Sequence, residues 1–119
     1  MKKLLAIPVI VLTFVLVFAL GGCGKPANMS LEVYSRGQSV VKTTEDYING
    51  KRSFSQAQSK IENDYNAIKS AKSGHEDSNV STYALLIKDD FFMYEINHDS
   101  KAFEQKLKDH LKSLKKSLR

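Results

Sequence analysis

The 119-residue sequence contains one cysteine, two prolines and no tryptophan. A single cysteine excludes a disulfide within the chain, so packing alone must hold the fold. Both prolines, Pro8 and Pro26, lie near the start, so nothing after them interrupts a helix in the way that proline does. Glycine is also scarce, and Gly50 and Gly74 lie between periodic segments, which is typical of helix ends.

The sequence also lacks the motifs of common catalytic and metal sites. It has no Gly-x-Ser-x-Gly motif and no glycine-rich phosphate loop. His75–Asp77 does not start a zinc motif, because Asn79 stands where the second histidine of His-Glu-x-x-His would lie, and we expect a solvated loop there. Glu95–His98 holds a single Glu-x-x-His pair, whereas a di-iron site uses two such pairs and two further glutamates, so the pair is at best half a site. We therefore expect no enzyme activity, no cofactor and no metal.

The first residues contain a long apolar run. Leu4 to Leu20 carries no charge and follows the cationic start Met1–Lys3. At about 17 residues, the run is at the lower limit for a membrane-spanning helix and is longer than most secretory apolar regions. An uncleaved anchor and a cleaved signal are both consistent with this length, and the residues that follow discriminate between them.

The apolar run ends in FALGGCGK, residues 18–25, which holds the only cysteine. Leu20, Gly21, Gly22 and Cys23 provide an aliphatic residue, two small residues and a cysteine. This segment resembles the lipobox of bacterial lipoproteins, and the resemblance covers residues 1–23 only. It implies cleavage between Gly22 and Cys23, a diacylglyceryl group on the Cys23 thiol, and anchoring to the extracytoplasmic face of the bacterial cell membrane.

These features divide the chain into three parts. Residues 1–22 are interpreted as a signal peptide, 23–30 as the lipidated cysteine and its tether, and 31–119 as one helical domain. The seven residues Gly24–Ser30 would span at most ~25 Å when fully extended.

Hydrophobic periodicity predicts a small all-α fold of three or four helices. A first helix is expected from about Ser30 to Asn49, with Gly37 on its apolar stripe. A second is expected to begin at Ser53, whose side chain would form a capping box with Gln56, and to end at Gly74. The last is expected over 101–119, where apolar residues recur every three or four positions.

Residues 79–99 leave two questions open. Their apolar runs fit a central, buried helix or a β-hairpin at 80–96, which would make the fold α+β. The helix is the favoured interpretation. Residues 78–118 could then form one long or kinked helix or two helices, and the single helix is favoured because the apolar stripe keeps its phase between Ile96 and Phe103.

The C-terminal segment is strongly basic. Residues 101–119 carry seven basic and two acidic side chains, and His110 is expected to lie exposed beside them. The residues that we consider for polyanion binding are Lys106, Lys108, Lys112, Lys115, Lys116 and Arg119.

Two functions are consistent with these features. The first is a protein-interaction module of the cell envelope, which binds another envelope protein. The alternative is a binder of anionic membrane or wall polymers through the basic C-terminal helix. An exported, lipid-anchored protein is not expected to bind nucleic acid.

The lipobox resemblance predicts that Cys23→Ala blocks maturation. Without the thiol no lipid can be attached, so the unprocessed precursor should accumulate. Mass spectrometry of the membrane fraction checks this, with the native chain as the control. An intact Met1 together with a free Cys23 thiol in the native protein would contradict the prediction.

Overall fold

The computed structural model describes residues 25–97 and 101–119, and within these ranges it contains four α-helices and no strand. The all-α prediction is therefore confirmed, and the alternative β-hairpin at 80–96 is wrong because α3 includes those residues. The predicted signal peptide and Cys23 lie outside the described residues. The helices are α1 Leu31–Ile48, α2 Phe54–Ala71, α3 His75–Ile96 and α4 Lys101–Ser117.

Helices α1 and α2 begin close to the predicted residues, and Ser30 and Ser53 cap them. The Ser30 side chain accepts a hydrogen bond from the Val33 amide, and the Ser53 side chain accepts one from the Gln56 amide, each at 3.3 Å. Such caps satisfy amides that have no partner within the helix. Gly50 ends α1 with a φ of 74°, a left-handed conformation that glycine adopts without steric cost.

The start of α3 differs from our expectation. Helix α2 ends at Ala71, three residues before Gly74, and Gly74 is instead the N-cap of α3. His75–Asp77 therefore form the first helical turn and not a solvated loop. The reason is that the Asp77 carboxylate accepts hydrogen bonds from two backbone amides. The bond from Ser73, just before the helix, is local, and the bond from Ser30 is a tertiary contact.

Asp77 is fully buried and joins three elements. Its carboxylate accepts hydrogen bonds from the Ser30 amide at 2.9 Å and from the Ser73 amide at 3.1 Å. The Ser73 hydroxyl lies 3.4 Å from the same carboxylate. Because Ser30 caps α1 and Ser73 follows α2, this one side chain brings the start of α1, the end of α2 and the start of α3 together.

Helices α3 and α4 form an antiparallel pair. The backbone and side-chain amides of Asn97 both donate to the Met93 carbonyl, at 3.0 and 3.1 Å, and thereby end α3. Helix α4 then runs back, because His110 contacts Asp90. The favoured single helix over 78–118 is therefore wrong. A reversal buries the apolar side of α4, formed by Leu107, Leu111, Leu114 and Leu118.

A close approach at Gly37 lets three helices share one core. A Cβ atom at this position would lie 2.8 Å from Leu118 Cδ2 and 3.1 Å from Val80 Cγ1. Only a glycine leaves room for both side chains as they are placed. The largest fully buried apolar side chains of the described core are Phe91, Ile61, Ile68, Ile87, Leu107, Leu114, Val33, Val40 and Val80.

The segment before α1 is part of the fold. Met29 is 3% exposed and packs in the core. The Lys25 ammonium donates to the Met29 carbonyl at 2.6 Å and to the Pro26 carbonyl at 3.2 Å. The last two residues of the predicted tether, Met29 and Ser30, are therefore docked on the bundle, and the Lys25 side chain folds back onto the Met29 carbonyl. We call the end of the bundle formed by Lys25–Ser30 and Ser73–Asp77 the tether end.

The hydrogen bonds of Asp77 predict that Asp77→Asn destabilises the protein. The amide replaces one acceptor oxygen by an NH₂ donor, so the Ser30 or Ser73 amide would lose its buried acceptor. The expected cost is about 1–3 kcal/mol in the free energy of unfolding, measured by urea denaturation. Asp109→Asn is the matched control on α4, and at that exposed position we expect a change within about 0.5 kcal/mol. Equal stability of both variants would contradict this role of Asp77.

Candidate functional site

Four large apolar side chains lie exposed on one helix. Leu85, Phe92, Met93 and Ile96 of α3 are 37%, 49%, 39% and 62% exposed. Leu85, Phe92 and Ile96 recur at intervals of seven and four residues, so they share one face of the helix. Met93 lies next to them toward the C-terminal end of α3. We call these four residues the α3 stripe.

The α3 stripe contradicts our expectation that this helix is buried all round. The inward face of α3 is buried through Val80, Ala84, Ile87 and Phe91. Its neighbours α1, α2 and α4 all pack against that side. A bundle of four short helices has too few elements to surround any one of them, so apolar residues on the outer face of α3 stay in contact with solvent.

A groove of about 350 Å³ lies between α2 and α3 beside the stripe. Glu62 and Asp89 lie at its edge, and neither has a cationic partner within 4.0 Å among the described residues. Lys88, also at the groove, instead lies 5.5 Å from the centre of the Tyr65 ring. The apolar part of the groove is lined by Ile61, Phe91, Phe92 and Met93.

An aromatic cluster closes the end of the bundle opposite the tether end. The Tyr47 ring lies 4.5 Å from Phe91 and 6.2 Å from Tyr94, and Phe54 stacks on Phe91 at 5.1 Å. The Tyr47 hydroxyl donates to the Glu95 carboxylate. Burial, and then this hydrogen bond, raise the pKa of Tyr47 above its ordinary value. The phenol is a hydrogen-bond donor within the fold, and the raised pKa keeps it protonated at a higher pH than an ordinary tyrosine.

The basic residues of α4 do not form a single patch. Lys115 pairs with Glu45 at 2.5 Å, and Lys108 pairs with Glu104 at 3.1 Å. Lys106 is exposed but lies about a third of a turn away from Lys112 at 100° per residue. Four exposed cations of this set have no carboxylate within 4.0 Å among the described residues: Lys106, Lys112, Lys116 and Arg119.

The histidines have separate positions. The His110 side chain is 28% exposed and contacts Asp90, so the expected solvent exposure of His110 is wrong. Its ring faces α3 because α4 folds back along that helix. His75 lies exposed in the first turn of α3. His98 lies outside the described residues. Glu95, the other residue of the Glu-x-x-His pair, accepts the hydrogen bond from Tyr47.

The residues of the predicted lipobox, Leu20, Gly21, Gly22 and Cys23, lie outside the described residues. Among residues 25–97 and 101–119, no helix has the length and apolar character needed to cross a bilayer. In the same ranges, no three His, Cys, Asp or Glu side chains come together as a metal site.

Comparisons of this chain with family models, with curated proteins and with solved structures found no match. The apolar stripe and the groove therefore have to be interpreted from their own geometry. Sequence periodicity did not identify the stripe, because it cannot distinguish which side of an apolar helix its neighbours cover. The sequence did contain a signal for the stripe. Helix α3 carries Leu85, Phe92 and Met93 in addition to the apolar residues that face the core.

The environment of Tyr47 predicts a loss of stability in alkali. Its pKa is raised in the folded state, so the unfolded chain ionises first once the pH exceeds the ordinary value of 10.0. Because of Tyr47, the free energy of unfolding of the native protein should be up to about 1 kcal/mol lower at pH 11 than at pH 7. Tyr47→Phe should remove this contribution, and chemical denaturation at pH 7 and pH 11 measures it. The same pH dependence in both proteins would contradict the prediction.

Proposed function

We propose that this protein is a lipid-anchored protein of the bacterial cell envelope that binds another envelope protein through the α3 stripe. The lipobox-like sequence Leu20–Cys23 supports the anchor and the extracytoplasmic location. The exposed apolar face of α3 is the observation that carries the interaction role. No catalytic role is proposed.

The composition and setting of the α3 stripe fit a protein partner. Exposed apolar side chains that cluster, as Phe92, Met93 and Ile96 do, mark interaction surfaces more often than scattered apolar residues do. Aromatic residues and methionine are enriched at such interfaces. Phe92 and Met93 also border the groove between α2 and α3, which can receive a side chain of the partner.

The charges around the groove suggest which partner surface would fit. Glu62 and Asp89 have no cationic partner among the described residues, so they are available to basic groups. Complementary charges at the edge of an apolar contact increase its specificity and association rate. A partner with apolar side chains flanked by lysine or arginine would match this surface.

Binding of anionic polymers through α4 is the second candidate. The exposure of Lys112, Lys116 and Arg119 supports it. It ranks second because Lys108 and Lys115 are paired with carboxylates on the protein itself. Lys116 and Arg119 could instead act at a lipid surface.

The proposal predicts different effects for two adjacent phenylalanines. Phe92→Ala should abolish partner binding while changing stability by less than about 1 kcal/mol, because Phe92 is 49% exposed. Phe91→Ala should cost about 3–5 kcal/mol in stability, because Phe91 is 1% exposed and packs in the core. Thermal and chemical denaturation measure the stability of both variants.

Photo-crosslinking in intact cells measures the binding itself. Phe92 is replaced by p-benzoylphenylalanine, and the exposed residue Lys60 on α2 serves as the control position. We expect one discrete protein adduct from position 92 and none from position 60. Adducts of equal yield at both positions, or no adduct at position 92, would refute an interaction site on the α3 stripe.

A further inference from the structure

The chain leaves the bundle very close to Cys23. Met29 is in the core and the Lys25 ammonium is bonded to the Met29 carbonyl, so the docked structure begins at Lys25. Gly24 is the single residue between Lys25 and Cys23. Two residues span at most about 7 Å. A lipid on Cys23 would therefore hold Lys25 within about 7 Å of the lipidated residue, and so close to the lipid headgroups.

All four helices contribute to the tether end or its surroundings. Asp77 links the start of α1 and of α3 with Ser73, which follows α2. The last residues of α4 return toward this end, because Leu118 contacts Gly37 in the second turn of α1. The fold thus places the end of α2 and the end of α4 on the same side as the predicted anchor.

The exposed charges at this end are mainly positive. Of the carboxylates there, Asp77 is fully buried and Glu32 pairs with Arg36 at 3.1 Å. Glu76 remains without a cationic partner within 4.0 Å among the described residues. The exposed cations closest to the tether end are Lys69 and Lys72 at the end of α2. Lys116 and Arg119, at the end of α4, are also exposed and lie about 10 Å further along the bundle, at the level of Gly37.

We infer that the tether end lies directly on anionic lipid headgroups, so that the bundle stands on the membrane and the α3 stripe faces sideways, above the membrane surface. This inference rests on the proposed lipid anchor at Cys23. The partner of this surface is the lipid bilayer itself. Cations within a Debye length of an anionic membrane, about 10 Å, are attracted to it. Lys69 and Lys72 lie nearest to the tether end, and Lys116 and Arg119 lie at the edge of that range.

This orientation also places the stripe. Leu85 lies ten residues and Ile96 twenty-one residues after the start of α3, so the stripe stands roughly 15 to 30 Å above the tether end at 1.5 Å per residue. A bundle lying on its side could instead press the stripe into the bilayer. The carboxylates of Glu62 and Asp89 beside the stripe would then face anionic headgroups, which disfavours that arrangement.

The orientation can be measured by fluorescence quenching. A fluorescent amino acid replaces Ser70 near the end of α2, Ser55 at its start, or Phe92 on the stripe. Ser55 and Ser70 are both exposed and are matched controls on one helix, about 22 Å apart along its axis. Each protein is placed in phosphatidylcholine vesicles with or without phosphatidylglycerol, and a headgroup nitroxide lipid serves as the quencher.

Two preparations separate this inference from the proposed anchor. One is the protein purified from bacterial membranes, whose lipid on Cys23 is checked by mass spectrometry. The other is residues 23–119 coupled through the Cys23 thiol to a maleimide phospholipid. It contains the whole described core, which begins at Met29. An absent natural lipid would refute the proposed anchor, while the coupled protein would still report the orientation.

A standing bundle predicts severalfold stronger quenching at position 70 than at positions 55 and 92. Quenching at position 92 as strong as at position 70 would show a bundle that lies on its stripe. Equal, weak quenching at all three positions would show that the bundle is held away from the lipid. Either result overturns the inference.

The charge contribution is tested by a fourfold variant, Lys69→Gln, Lys72→Gln, Lys116→Gln and Arg119→Gln. In the parent protein we expect phosphatidylglycerol to increase the quenching at position 70 severalfold at low salt, and high salt to reverse the increase. The variant should lose this increase. The charge-matched control is Lys42→Gln, Lys60→Gln, Lys101→Gln and Lys106→Gln, which should retain it. The same loss in both variants would refute a specific role for the tether end.

Discussion

The buried carboxylate of Asp77 is the interaction on which the arrangement of the helices depends. A carboxylate without exposure to water is tolerated only when its oxygens accept hydrogen bonds, and the amides of Ser30 and Ser73 supply them. Those amides in turn need a buried acceptor, so each group constrains the others. The consequence is that α1 and α3 start side by side, next to the point where the chain would reach its anchor.

A second buried carboxylate extends this arrangement along the bundle. Asp64 of α2 is 1% exposed and accepts hydrogen bonds from Arg36 and Ser39 of α1. The bond to Asp64 is also the main reason that the pKa of Arg36 is raised. Two polar contacts thus determine how α1 aligns with its neighbours, while the apolar core supplies most of the driving force for folding.

The two ends of the bundle differ in chemistry, and this difference relates the fold to the proposed function. Around the tether end the exposed charged side chains are mainly cations. Toward the far end, α3 exposes Phe92 and Ile96, and the aromatic cluster around Tyr47 closes the bundle. If Cys23 carries a lipid, the cationic end would face the membrane and the apolar stripe would face other proteins. One small domain could then separate attachment from recognition.

The sequence alone determined the helical class and the starts of α1 and α2, directly after Ser30 and Ser53. These features depend on neighbours within one or two turns, such as caps and apolar spacing. Only the tertiary structure decided that α4 folds back, that Asp77 is buried and that one face of α3 is left uncovered. Each of these depends on contacts between residues far apart in the chain, and periodicity carries no information about which helix will cover which face.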